Sequence, residues 1–327
     1  MSSSTSTSRV GKLGKPGTNP EQGRSGVATP PRRRQTRSDS WQRRIPLLPA
    51  LIFVIVMTQL PFLGTIVISF MNWNAYYPDE RGFAGFSNFA RVFTDVNARS
   101  AVLVTIVITV ATVLISLVLG LAIALLLDRK FRGQGVVRTM MIAPFLVVPV
   151  AAALLWKHAL YNPEYGLFNG LLTLVLGEDA PQPDWVGTMP LPALVAALVW
   201  QWTPFMMLIL LAGLQSRPLD VVEAARIDGA SELRIFTSMT LPHLRQYIEL
   251  STLLGTIYVV QNFDHVFTIT AGATGTANLP YFIYQTFYTA QDYGRASAAG
   301  VVTVVGTLVV AMFALRTAFA IFKEEGR

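Results

Sequence analysis

Six aromatic or amide residues interrupt otherwise apolar stretches of this sequence: Trp200, Gln201, Trp202, Tyr258, Gln261 and Asn262. Amides hydrogen-bond to hydroxyls and aromatic faces cover C–H surfaces, the two kinds of contact a sugar or polyol invites. Trp200 and Trp202 lie about 200° apart on a helix, so they cannot both face one pocket. Ordinary helix packing or an interfacial aromatic belt is the competing use of such residues. Catalysis finds little support. His158, His243 and His265 fall in no metal-ligand spacing, and no nucleophile elbow occurs. With no cysteine, thiolate chemistry and cysteine-based metal sites are excluded. Gly11-Lys12-Leu13-Gly14-Lys15 is too compressed for a phosphate loop and no strand precedes it. The chain is therefore expected to hydrolyse no ATP by itself and to carry no metal or cofactor.

The elements that position these residues are apolar runs. Of 327 residues, 52% are hydrophobic and only 14% charged, against about 25% charged in a soluble domain. Runs extend from about Ile45 to Met71, Ala101 to Leu127, Val136 to Trp156, Leu191 to Leu214, Tyr247 to Thr270 and Ala298 to Phe322. Each approaches or exceeds the roughly 20 residues that cross a bilayer as a helix. The fifth is the weakest, since Glu249, Gln261, Asn262 and Asp264 interrupt or border it. Glu249 is expected to meet a partner or to snorkel, and Asp264 and His265 to touch water near the outer end. Leu167 to Leu176 is apolar but too short to span, which suits a short interfacial helix. Residues 1–44, rich in Ser, Thr, Gly, Pro and Arg, are expected to form a disordered tail, and no apolar core near Met1 marks a cleavable signal peptide.

The net charge is +7, but its distribution does not suit nucleic acid. Arg32, Arg33, Arg34, Arg37, Arg43 and Arg44 sit immediately before the first run, and further basic residues gather between the second and third runs, between the fourth and fifth, and after the sixth. The opposite side holds only Arg81, Arg91, Arg99, Lys157 and Arg295. That bias predicts a six-span, multi-pass protein of a bacterial-type cell membrane with both termini cytoplasmic.

Between the fourth and fifth runs, residues 215–245 form the most informative loop. Pro218 near its start and Gly229 suit one short helix with a left-handed glycine cap, and Ser231 can N-cap a second. Leu233, Phe236 and Thr240 follow at roughly helical spacing as one apolar stripe. Glu223-Ala224-Ala225, then Gly229, Met239 and Leu241-Pro242, match in type and spacing the EAA loop of binding-protein-dependent ABC importer permeases. Two departures occur: Met239 stands where Ile is usual, and no proline follows in the His243, Leu244, Arg245, Gln246 stretch. Over about residues 46 to 322 the chain also resembles the carbohydrate and polyol branch of that family, the maltose, glycerol-phosphate and trehalose type. This likeness lies in Thr270 to Ala277, Tyr284 to Ala298, Tyr165 to Asn169 and Trp185.

The resemblance implies an all-α integral membrane fold, a six-helix type I ABC importer transmembrane domain over 45–322 with a cytoplasmic coupling loop. It also implies a second permease subunit, two copies of a nucleotide-binding ATPase subunit that carry the ATP and Mg, and an extracytoplasmic solute-binding protein, with no nucleic acid. Glu223, Ala224, Ala225, Asp228, Gly229, Leu241 and Pro242 would form the ATPase-coupling surface. Trp200, Gln201, Trp202, Tyr258, Gln261 and Asn262 would line the substrate pathway for a sugar or polyol. A secondary ion-coupled transporter and a permease for a non-carbohydrate solute are the alternatives. The former leaves the loop unexplained and usually needs intramembrane ionisable residues, which are few here.

Overall fold

The computed structural model describes the backbone of residues 45–324 and the side chains of 46–309 and Met312; the tail expected over 1–44 lies outside the described residues. Helix α1 (Leu48–Ser69) follows a 3-10 turn at Ile45–Leu47 and contains Pro61. A two-stranded antiparallel hairpin, β1 (Met71–Asn72) with β2 (Gly82–Phe83), leads to the short helix α2 (Ser87–Thr94). Helix α3 (Val96–Leu127) begins where the Asp95 carboxylate accepts a hydrogen bond from the Asn97 N–H, a side-chain cap that starts it before the apolar run proper.

The core forms around α3 and α7 (Pro190–Gln215), the most extensive helix pair. Thr112, Ser116, Gly120 and Ala124 recur every fourth residue on the buried face of α3. A Cβ at Gly120 would stand 2.9 Å from both Met206 Cβ and the Met207 backbone nitrogen, so only glycine permits this approach. Close backbone contact of this kind holds helices together where lipid offers no hydrophobic driving force. The opposite face of α3 leaves Leu103, Ile106, Val107, Val110, Leu114 and Val118 exposed, an apolar surface that suits lipid better than water.

Two apolar runs depart from simple helices. The third is not one straight span: α4 (Gln134–Leu146) and α5 (Pro149–Leu154, continued by a π turn to Leu160) meet at a 96° bend. Pro149 cannot donate to the turn before it, and Val147 adopts an extended conformation. The freed Val147 carbonyl accepts a hydrogen bond from Gln201 Nε2 on α7 at 2.9 Å.

Helix α6 (Leu167–Leu176) occupies the short apolar stretch expected there. The loop helices are α8 (Leu219–Ile227) and α9 (Glu232–Ile235). A π turn at Phe236–Thr240 then carries α9 straight into α10 (Leu241–Val260). The fifth helix therefore starts before Tyr247 and takes in Leu241 to Arg245, which the loop boundary at 245 had excluded. The wide turn explains the continuity. Pro242 has no N–H, and Leu241 N–H reaches back five residues to Phe236 O. The same helix ends at Val260 rather than Thr270. Gln261 to Phe263 break it, and a π turn at Val266–Thr270 ends at Ala271 with φ 49°. Short α11 (Leu279–Tyr284) and the long α12 (Tyr293–Glu324) follow.

Among the described residues, α1, α3 and α7 are each long and apolar enough to cross a membrane, and the bent α4–α5 pair adds a fourth span if counted as one. Helix α10 has 20 residues but carries Arg245 and Glu249 in its first half.

Candidate functional site

The loop joining α7 to α10 is built from local signals. At the end of α8, Ala230 N–H donates to Ala225 O (3.0 Å) and Gly229 N–H to Arg226 O (3.1 Å). With Gly229 at φ +79°, this is a Schellman stop. Ser231 Oγ accepts from Arg234 N–H and opens α9. Across the turn, Arg226 donates to both carboxylate oxygens of Glu232, at 2.8 and 3.3 Å. That hydrogen bond holds the Glu232 carboxyl below its usual range and raises the Arg226 guanidinium further.

Glu223, Ala224, Asp228 and Gly229 are exposed on this loop and Ala225 is half-buried. Leu241 and Pro242 lie apart from them, in the first turn of α10. Leu233 does not join the expected apolar stripe; it is 73% exposed. Thr240 is buried as expected and Phe236 half-buried, but Ile235 takes the place of Leu233, because the π turn replaces helical spacing in this stretch. Sequence reasoning also passed over Ile227, the most exposed large apolar side chain of the loop at 86%. Ile227 and Leu233 thus stand bare on either side of the Gly229 turn, bordered by carboxylates.

The second feature is an aromatic cleft. Trp202 stacks on Tyr258 with ring centroids 5.5 Å apart and planes 24° from parallel. Phe205 stands edge-on to both, and Phe145 packs against Trp202 and Phe205 at 5.8 and 5.4 Å. Tyr258 stays 55% exposed. Trp200 is not part of this cleft. It packs on Trp156, with ring centroids 5.9 Å apart, and lines an apolar cavity of about 800 Å³ between α3, α4 and α7. Gln201 is buried with its Oε1 lacking a protein partner, while its amide nitrogen serves the Val147 break. Gln261 is exposed at the end of α10 and bonds Ile257 O.

Asn262 faces inward, its side-chain nitrogen paired with His265 Nδ1 at 3.1 Å and its backbone carbonyl accepting from Asn278 Nδ2. His265 is fully buried, which corrects the expectation that it meets water. The helix break at Gln261 turns it into the bundle. Glu249 pairs with Arg245 at 3.2 Å. Of the six expected pathway residues, the structure brings Trp202 and Tyr258 together. Phe145 had no sequence signal, since it lies inside the third apolar run without a polar neighbour.

A helical bundle with a lipid-suited surface, a broken third span and a projecting two-helix loop has the plan of an ABC importer permease. Over residues 116–321 the sequence matches the family described as binding-protein-dependent transport system inner membrane component. The chain belongs to that family, one of membrane-embedded transport subunits. It is 37% identical over 263 residues to the trehalose/maltose transport system permease protein MalF of Thermococcus litoralis, covering 79% of this chain and 87% of that one. It is 32% identical over 282 residues to the trehalose transport system permease protein SugA of Mycobacterium tuberculosis, covering 85% and 90%. Its fold matches a chain of a bacterial alginate ABC transporter crystallised with an alginate pentasaccharide-bound periplasmic protein. The TM-score is 0.75 at 20% identity, over 87% of this chain and 96% of that one.

Proposed function

We propose that this chain is the membrane subunit through which an ATP-driven importer passes a sugar or polyol into the cytoplasm. It crosses the membrane six times with both termini inside. A second permease subunit completes the pathway, a solute-binding protein delivers the solute, and two copies of a separate ATPase drive the cycle. The observation that carries the coupling half is the loop, with Ile227 and Leu233 bare on a turn fixed by the backbone stop at Gly229. Such a turn docks as a unit, so closure of paired ATPases on ATP would carry it and shift the bundle between inward- and outward-facing states.

Likeness to trehalose and maltose permeases supports a carbohydrate, and the cleft has the right chemistry for one. Tyr258 and Trp202 offer aromatic faces, and Gln261 offers an exposed amide. The basic bias before the first span supports the inside placement of the termini.

Uptake of labelled trehalose and maltose by liposomes holding the complete transporter tests the proposal. ATP-dependent uptake that requires both the ATPase and the binding protein is expected. Uptake that persists without the ATPase, driven by an ion gradient, would sink it. ATP-dependent uptake of another solute class alone would confine the error to the substrate. Separately, a reporter fused after Arg327 should be active only in the cytoplasm.

A further inference from the structure

Arg217, just past the end of α7, spreads its guanidinium over three elements. Nη2 donates to Asp128 Oδ2 at 2.6 Å, Nη1 to Thr240 Oγ1 at 2.9 Å, and Nε to Leu214 O at 3.0 Å. Asp128 caps the C-terminal end of α3, Leu214 belongs to the last turn of α7, and Thr240 closes the π turn that enters α10. Both charged side chains are largely covered, 15% and 24% exposed.

A carboxylate at a helix C-terminus faces the negative end of the helix dipole, so Asp128 disfavours α3 unless a cation answers it. Arginine is the cation suited to the task, because its planar fork holds separate partners at fixed angles. Ser216 adds a second tie. Its hydroxyl bonds His243 Nε2 at 3.1 Å and Tyr247 OH at 2.9 Å, and His243 Nε2 also meets Gly213 O at 3.1 Å. The points where the loop leaves α7 and re-enters α10 are therefore bonded to each other and to the end of α3.

We infer that Arg217 and Asp128 are positioning residues that transmit movement of the docking loop into the helix bundle, an inference that rests on the coupling role proposed above. A loop on slack roots would swivel when its partner moved, and the displacement would be lost locally. With the roots tied, a displacement of α8 moves the ends of α3, α7 and α10 as one body. Helices α7 and α10 carry Trp202 and Tyr258, so the tie links the ATPase surface to the two sides of the aromatic cleft.

The test uses the complete transporter in liposomes with its ATPase and binding protein. It compares the wild type with Asp128→Asn, Arg217→Gln and the double variant. Asp128→Asn keeps the volume and one acceptor, which guards against simple misfolding. The readouts are ATPase retention, ATP hydrolysis and solute taken up per ATP. Both single variants should keep their ATPase and hydrolyse ATP, while uptake per ATP falls by about tenfold, the scale of one lost charge-assisted hydrogen bond. The double variant should be no worse than Arg217→Gln, since both changes cut the same tie.

Wild-type uptake per ATP in both single variants would overturn the inference. So would a parallel loss of ATPase retention and uptake that left uptake per ATP unchanged, because the tie would then be a brace only. A wild-type chain that retained no ATPase would instead defeat the docking role itself, and this inference with it.

Discussion

The loop joining α7 to α10 and the aromatic cleft are held in opposite ways. In the loop, the stabilising contacts join residues near in sequence: Ala230 to Ala225, Ser231 to Arg234, Arg226 to Glu232. In the cleft, Phe145, Trp202 and Tyr258 come from three separate helices and meet only after those helices have packed. A locally specified turn keeps its shape while the bundle around it moves, as a docking surface must. A cleft shared by separate helices changes shape when they move, and a solute site in an alternating transporter must do the same. Rigidity thus sits where force would enter and compliance where the solute would pass. A change in the loop should therefore spoil coupling, and a change in the cleft should spoil affinity.

The most severe break of that distinction is Gly229→Val. No atom beyond its own chain neighbours would lie within 4 Å of a Cβ at Gly229, so the strain lies in the backbone at φ +79°. A β-branched residue held there costs roughly 1–2 kcal/mol or reshapes the turn. The expected outcome is a chain that inserts normally, retains its ATPase poorly and transports little, as pull-down and uptake together would show. Gly229→Asn should stay close to wild type, because asparagine visits the left-handed region readily. Wild-type retention and uptake in Gly229→Val would reduce the loop to a connector. Glu223→Ala should be milder than Gly229→Val, since it removes a polar contact and leaves the turn intact.

The cleft gives the intermediate effect. Tyr258→Ala removes the exposed ring of the stacked pair and Trp202→Ala removes its half-buried partner. Each should weaken uptake several-fold through a raised KM, because one stacking contact is worth about 1 kcal/mol. ATPase retention should not change. Trp200→Ala, on the other side of α7, should leave KM alone. If Trp200→Ala raises KM while Tyr258→Ala does not, the solute passes along the α3–α4–α7 cavity instead.

The same difference explains what could be read from the residues beforehand. Pro218 and Gly229 act through their own backbone preferences and Ser231 through a cap on its own helix, so the ends of α8 and the start of α9 were legible. The unbroken passage from α9 into α10 was not. The π turn that accommodates Pro242 leaves no spacing signal, and a helical period wrongly placed Leu233 on the buried face. Likewise, the third run read as one plain span, because its 96° bend depends on α7 offering Gln201 to the freed carbonyl. Composition announced aromatic and amide residues in the fourth and fifth spans. Only packing could separate Trp202 from Trp200 or bring in Phe145.

The smallest expected effect concerns Arg226 and Glu232, where the loop could be mistaken for a surface held by charge. Both side chains are largely exposed, and exposed ion pairs contribute little because water and salt screen them. The Glu232 carboxyl is held below its usual value by the Arg226 hydrogen bond. A lowered carboxyl value means the pair is complete at neutral pH and is lost only as acid carries the solution down through that lowered value. Coupling should therefore show no titration from this pair between about pH 6 and 8. Glu232→Gln keeps a hydrogen-bond acceptor for Arg226 and leaves the Schellman stop untouched, so ATPase retention at neutral pH should stay within about twofold of wild type. The small remaining difference should vanish in high salt. A large loss of ATPase in Glu232→Gln that persists in high salt would show that Glu232 contacts the ATPase directly. The turn would then owe its docking to that carboxylate, and its own backbone would no longer account for it.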